Sequence, residues 1–244
     1  MPNPSKNQQN SANNPESLSP AVAEWLAQSS VDDESVASWL RVGAGAGQGS
    51  GYDFSRACIL AGSFNPFHDG HRRMLSVGRE RSGRECFCEI SIDNVDKQSM
   101  DASALAGRIH QDFSPAGLIL SRLPNFADKA KAFSGALFLA GADTIIRIND
   151  LKYYGNDQST FDSRVASIAE TNSRFLVFGR MDGNTFVDPQ NIVLRAGLRE
   201  ICDFVSREEF EVNVSSTELR ESNRQAAIKK RLTSESDGNE PRQN

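Results

Sequence analysis

Residues 62–71 read Gly62-Ser63-Phe64-Asn65-Pro66-Phe67-His68-Asp69-Gly70-His71, and their reading decides the fold. A short apolar run, Cys58-Ile59-Leu60-Ala61, stands just before them, and a helix-like stretch, Arg72-Arg73-Met74-Leu75-Ser76-Val77, follows. The order is strand, tight turn, helix start. The chain has 3 histidines, and two of them, His68 and His71, fall at that helix start. A helix N-terminus presents free backbone N–H groups and the positive end of the helix dipole. Two imidazoles add donors to the same spot, and Gly70 between them lets a ligand approach closely. The combination suits an anion, above all a phosphate. As a metal site the pair would need a third ligand, which the spacing does not supply.

Outside this stretch the texture is an alternation of strands and helices. Strand-like runs recur at 58–61, 86–92, 118–123, 136–140, 175–178 and 212–214. Helix-like runs fill most of the gaps, at 71–81, 102–113, 126–133, 162–171, 192–205 and 217–223. The strands are short and almost continuously apolar, as expected when both sheet faces are covered. An α/β fold follows: a Rossmann-like, mostly parallel sheet with helices on both faces. Ligands of such sheets sit at the carboxyl ends of the strands, beside the point where strand order reverses. The histidine segment lies at the carboxyl end of the first strand.

The flanks have another composition. Residues 1–18 are rich in Asn, Gln, Ser and Pro and are expected to be disordered. Two helix-like pieces follow at 21–26 and 34–40. They carry Trp25 and Trp39, to be docked on the main domain or on a partner. Residues 43–51 alternate glycine with Ala, Gln and Ser but lack nucleotide-loop spacing, and read as a linker. Residues 1–54 are therefore expected to be a disordered, partly helical segment with a Gly-rich linker, and deletion of residues 1–50 is expected to leave a folded domain. The main domain is expected over 55–224 and a disordered tail over 225–244.

The 244 residues suit one α/β domain with tails, and the net charge of -5 argues against a broad basic face for nucleic acid. No apolar run approaches the roughly 20 residues of a membrane span. The polar N-terminus has no apolar signal-peptide core, so no membrane partner and a cytoplasmic location are expected. Cys58, Cys86 and Cys88 fall in or beside strand-like runs, which suits buried thiols in a reducing compartment. Cys86-x-Cys88 is not zinc spacing.

The segment 62–71 resembles the GSFxPxHxGH signature of the nucleotidyltransferase superfamily. That superfamily includes nicotinamide mononucleotide adenylyltransferases, phosphopantetheine adenylyltransferases and cytidylyltransferases. Val214-Ser215-Ser216-Thr217-Glu218-Leu219-Arg220 is similar to its ISSTxxR motif, with Val for Ile. On the residues alone, Ser215 and Glu218 read as a helix capping box. Ser216, Thr217 and Arg220 would then line a second helix start fit for a triphosphate. Gly141-Ala142-Asp143 resembles the strand-end Gly-x-Asp of the mononucleotide adenylyltransferases; read alone, Asp143 is equally a helix N-cap. Lys97 follows the strand 86–92 and either reaches a phosphate or is a solvated lysine. Where relatives often continue with Pro, this chain has Gln98. Arg180 follows the strand 175–178, where in the family an arginine approaches the nucleotide. The resemblance runs over 58–220.

It implies that an acceptor's phosphate attacks the α-phosphorus of a triphosphate and that pyrophosphate leaves. His71 would then meet the α-phosphate and His68 the neighbouring phosphates. Arg220 and the nucleotide-binding Ser215, Ser216 and Thr217 would hold the leaving pyrophosphate. Gly62, Ser63, Phe64 and Gly70 would bind nucleotide. Asn65, Lys97, Gly141, Asp143 and Arg180 would bind substrate, Gly141 and Asp143 through a ribose. Mg²⁺ is implied with the triphosphate, held mainly by phosphate and water. The expected substrates are ATP and nicotinamide or nicotinate mononucleotide. The rivals are CTP with a phosphorylated alcohol, and a nucleotide-binding or partner-binding module without turnover. A homo-oligomer is compatible with the sequence.

Overall fold

The strand that precedes the histidine segment, Ala57–Ala61, is buried along nearly its whole length. Its side chains alternate between two cores, as the period of a strand requires. Cys58 and Leu60 join one core; Ala57 and Ile59 join the other. The computed structural model describes residues 18–28, 38–43, 47–48, 51–93, 100, 102–183 and 185–210. In chain order its elements are α1 (Pro20–Ala27), β1 (Trp39–Val42), β2 (Gly47–Gln48), β3 (Ala57–Ala61), α2 (Asp69–Ser82), β4 (Glu85–Ser91), α3 (Ala102–Ile109) and β5 (Gly117–Ser121). They continue with α4 (Phe126–Ala132), β6 (Leu137–Gly141), α5 (Ala142–Asn149), α6 (Gln158–Glu170), β7 (Arg174–Phe178), β8 (Arg180–Asp182), β9 (Thr185–Val187), α7 (Ala196–Glu200) and β10 (Cys202–Phe204).

Among the described residues, an 8-stranded sheet runs in the order β10-β7-β6-β3-β4-β5-β1-β2. From β10 to β5 every neighbouring pair is parallel. β1 closes that edge antiparallel to β5, and β2 pairs antiparallel with β1. This is an α/β, Rossmann-like fold. The chain builds outward from β3 through β4 to β5, then returns to the other side of β3 with β6, β7 and β10. The order therefore reverses between β3 and β6, and the histidine segment begins at that switch point.

The element boundaries have local causes. α2 ends at Gly83, whose φ of 67° is left-handed backbone that glycine takes without cost. Its inner face, Met74, Leu75 and Val77, packs on Cys58, Leu60, Cys86 and Cys88. The opposite core holds Phe138, Phe161, Phe175 and Val177. Each fully buried aromatic or aliphatic side chain there contributes about 1.5–3 kcal/mol.

Several expectations are corrected. The helix expected over 34–40 is not formed at its end, because Trp39–Val42 is strand β1, in register with Leu118–Ser121. The sheet thus reaches outside the 55–224 span. The expectation that the fold does without residues 1–50 fails with it: Val22, Trp25, Trp39 and Leu40 are all buried. Helix α1 is capped by Ser19 and begins with Pro20. No basic residue lies in its last turn, so Arg122 supplies one from the end of β5. One of its nitrogens donates to the carbonyls of Trp25, Leu26 and Gln28, and its guanidinium lies 4.7 Å from the centre of a Trp25 ring.

The helix expected over 192–205 is only Ala196–Glu200, and Cys202–Phe204 is strand β10, pairing with Phe175–Val177. The helix expected over 102–113 stops at Ile109. Phe113 leaves it to pack between Phe64 and Phe67. The strand expected at 212–214 and the helix expected at 217–223 lie outside the described residues. So does the tail from 225. All four cysteines are free and buried. No helix among the described residues is long and apolar enough to cross a membrane.

Candidate active site

The loop from Gly62 to Phe67 turns the chain from β3 into α2. Phe64 takes a φ of 42°, a left-handed conformation that an aromatic residue adopts only under constraint. The constraint is its ring. It is 2% exposed and meets Phe67 and Phe113 edge-on, at 5.6 Å in both cases. It also lies edge-on to His71 at 5.1 Å. Gly62 must be small, because a Cβ there would stand 3.0 Å from the Phe64 ring.

His68 is the N-cap of α2, and the two imidazoles cap that helix reciprocally. Gly70 N–H donates to His68 Nδ1 at 3.2 Å, and His68 N–H donates to His71 Nδ1 at 3.2 Å. An imidazole whose Nδ1 accepts is neutral with its proton on Nε2. Both rings are therefore set as Nε2 donors. They stack at 3.7 Å, and Phe67 stacks on the far face of His71 at 5.4 Å. Burial pushes the His71 pKa down to about 3, and the His68 ring beside it acts in the same direction. Burial lowers the His68 pKa as well, against the opposing pull of Asp69. At neutral pH both rings are uncharged.

Gln111 was not anticipated from the sequence. Its Nε2 donates to Phe64 O at 2.7 Å and to Arg108 O at 3.0 Å, and its Oε1 accepts from Phe67 N–H at 2.6 Å. One amide thus ties both ends of the strained loop to the end of α3. Arg72 braces the same region. It donates to the Asp112 and Ser114 carbonyls and lies 4.8 Å from the centre of the Phe67 ring.

Beside this loop opens a cleft of about 910 Å³, a size suited to a nucleotide-scale ligand. It lies at the carboxyl ends of the strands, and its wall includes Gly62, Ser63, Thr144, Arg147 and Tyr153. His68 and His71 stand at the helix mouth next to it and are not part of its lining. At its base a buried ion pair joins β4 to α4. Lys129 Nζ donates to Glu89 Oε1 at 2.7 Å and to Leu123 O at 2.6 Å, and Ser121 Oγ donates to the same Glu89 oxygen. Lys129 and Glu89 are 4% and 1% exposed. The signal for this pair was present in the sequence as a lone carboxylate inside the apolar run Cys86-Phe87-Cys88-Glu89-Ile90.

The anticipated residues fall into three groups. Gly62, Ser63, His68, Gly70 and His71 are gathered at the switch point, where Asn65 is exposed. Two of the anticipated contacts change character. The Phe64 ring is buried and packs on His71. Gly70 is buried, and its N–H is already spent on His68. Gly141 and Asp143 lie at the carboxyl end of β6. Gly141, not Asp143, is the N-cap of α5. Asp143 Oδ1 instead accepts from Arg180 Nε at 2.8 Å, so these two residues hold each other. Lys97, Ser215, Ser216, Thr217 and Arg220 lie outside the described residues. Among the described residues no group of three or more His, Cys, Asp or Glu is placed to hold a metal ion.

Neither a protein-family model nor a curated protein matches the chain. Among solved structures it is similar to a Plasmodium falciparum nicotinic acid mononucleotide adenylyltransferase complexed with APC. The two share 16% identity over 68% of this chain and 82% of that one, with a TM-score of 0.38. The fold assignment stands on the sheet order itself.

Proposed function

We propose that the protein is a nucleotidyltransferase that joins the AMP of ATP to the phosphate of nicotinamide or nicotinate mononucleotide and releases pyrophosphate. The observation that carries this reading is the pair of neutral imidazoles, both protonated on Nε2, held at the start of α2 beside the switch point. Two neutral donors in a rigid mount suit charge that develops at phosphorus. They stabilise the transition state more than the bound substrates, and no reorganisation is needed when the charge appears.

The chemistry needs no covalent nucleophile from the protein. The acceptor's phosphate oxygen forms a bond to the α-phosphorus as the bond to the pyrophosphate oxygen breaks. The chain's own part is to orient and to donate. His71 Nε2–H serves the α-phosphate, and His68 serves the phosphates beside it. Ser63 presents its hydroxyl at the loop. In the same reading Ser216, Thr217 and Arg220 take the pyrophosphate, Lys97 a phosphate, and Asp143 and Arg180 the nucleotide's sugar side once they release each other. Mg²⁺ enters as part of the triphosphate substrate, held by phosphate and water. We place the protein in the cytoplasm.

The test is pyrophosphate release by the full chain with ATP or CTP, each with a panel of phosphorylated acceptors. Release with ATP and a pyridine mononucleotide is expected. Release only with CTP and a phosphorylated alcohol would move the protein to the cytidylyl branch. Nucleotide binding without release from any pair would make it a binding module.

A further inference from the structure

Among the described residues two buried side-chain polar atoms have no hydrogen-bond partner, Arg122 Nε and Glu89 Oε2. The first belongs to a guanidinium anchored through its Nη2 at the end of α1 and stacked on Trp25. The second has no such explanation. Glu89 sits in the middle of the parallel sheet, beside Ala61 of β3 and Ile119 of β5, and lines the cleft. Its backbone carbonyl accepts from Gly62 N–H at 3.0 Å. The Glu89 backbone is thus one strand spacing, about 4.8 Å, from the first residue of the histidine loop.

The two oxygens of this carboxylate are unlike. Oε1 is saturated by Lys129 and Ser121, which balance its charge and fix its plane. Oε2 is left with its lone pairs unmet inside a low-dielectric wall, an arrangement that is costly unless something donates to it. A carboxylate accepts and cannot donate, so the missing partner carries N–H or O–H. A second carboxylate in that place would set like charges together.

We propose that Glu89 Oε2 is a recognition point for a hydrogen-bond donor on the acceptor, and that it selects the carboxamide of nicotinamide mononucleotide over the carboxylate of nicotinate mononucleotide. This rests on the adenylyl-transfer reading above and deepens it. Lys129 and Ser121 are positioning residues here. They hold Oε1 so that Oε2 is left to accept from a donor, and they take no part in the transfer. A site built to pair with a particular polar group discriminates more sharply than an apolar wall does, because the wrong group leaves buried atoms unpaired.

The experiment compares kcat/KM of the full chain for the two mononucleotides with saturating ATP, in the wild type and in Glu89→Gln. Glutamine keeps the shape and still accepts from Lys129 and Ser121 through its carbonyl. It puts an N–H₂ where Oε2 was, turning an acceptor into a donor. The wild type is expected to favour the amide at least tenfold. The variant is expected to lower that ratio by a factor of 10 or more, with ATP affinity unchanged by calorimetry. Glu89→Gln combined with Lys129→Met removes both charges together and should shift the ratio in the same direction if the single variant folds poorly. An amide-to-acid ratio that stays at the wild-type value in either folded variant would overturn the role given to Glu89. A wild type that releases no pyrophosphate with either mononucleotide would instead overturn the adenylyl-transfer reading. Calorimetric binding of the two mononucleotides then decides on Glu89, and equal binding or none overturns its role too.

Discussion

The two ends of the switch point are built in opposite ways. At the end of β3 the imidazoles are half-buried, stacked on each other and on Phe67, and tied by reciprocal backbone bonds. At the end of β6 the polar pair is exposed: Asp143 and Arg180 side chains are 64% and 39% accessible, and among the described residues they hold each other and near neighbours. The first arrangement is fixed before any ligand arrives. The second is a surface ion pair, worth about 0–1 kcal/mol, that a ligand's hydroxyls can displace at little cost. In the proposed reaction the rigid half would supply transition-state donors and the replaceable half would supply binding. Loss of the first should cost turnover, and loss of the second should cost affinity.

The sharpest break is His71→Ala. Pyrophosphate release should fall by about 10²–10³ in a variant that still melts cooperatively, and near-normal turnover would remove the histidine mouth from the mechanism.

The next effect is on stability. The folded protein holds His71 neutral down to about pH 3, whereas the unfolded ring takes a proton below its ordinary 6.5. The unfolded state therefore binds more protons in that window, and stability falls as pH drops through it. Denaturant unfolding at pH 7 and pH 4 should show a larger loss in the wild type than in His71→Asn, by on the order of a few kcal/mol. Equal losses would mean that the ring is not buried as described.

Gln111→Ala tests whether rigidity itself matters. It removes the tie on the Phe64–Phe67 loop without touching a ligand-facing group. We expect a drop of about tenfold in kcat with KM for ATP near the wild-type value, and full activity would show that the strained loop holds itself. The smallest effect is expected from Arg180→Ala. It should raise the KM of a nucleotide substrate only several-fold and leave the melt within about 1 kcal/mol of the wild type. A collapse of kcat in that variant would erase the contrast between the two halves.

Much of the parallel sheet could be read from the chain alone. The runs at 58–61, 86–92, 118–123, 136–140 and 175–178 each match a strand to within a residue or two, because a strand covered on both faces must be apolar throughout. The helix read over 34–40 overlaps the first half of β1, and the one read over 192–205 covers β10. Trp39–Val42 and Cys202–Phe204 are 4 and 3 residues long, too short to show a period of their own. What makes them strands is a neighbour's free edge, Leu118–Ser121 for one and Phe175–Val177 for the other. Helix α5 was missed for a different reason, since Asp143 reads as a cap while Gly141 is the residue that starts the helix.

The same division runs through the site. The residues 58–71 by themselves determine a strand, a turn and a helix start with two imidazoles, because glycine, proline and histidine act there through local backbone geometry. Only the tertiary structure decides that the rings are neutral, since their charge depends on burial and on Phe64 and Phe67 packed around them. Only it brings Gln111 onto the loop from 44 residues away and Lys129 onto Glu89 from 40 residues away. Such contacts join strands and helices that the chain separates. Their energies come from a shared, water-poor interior that exists only once the sheet has closed.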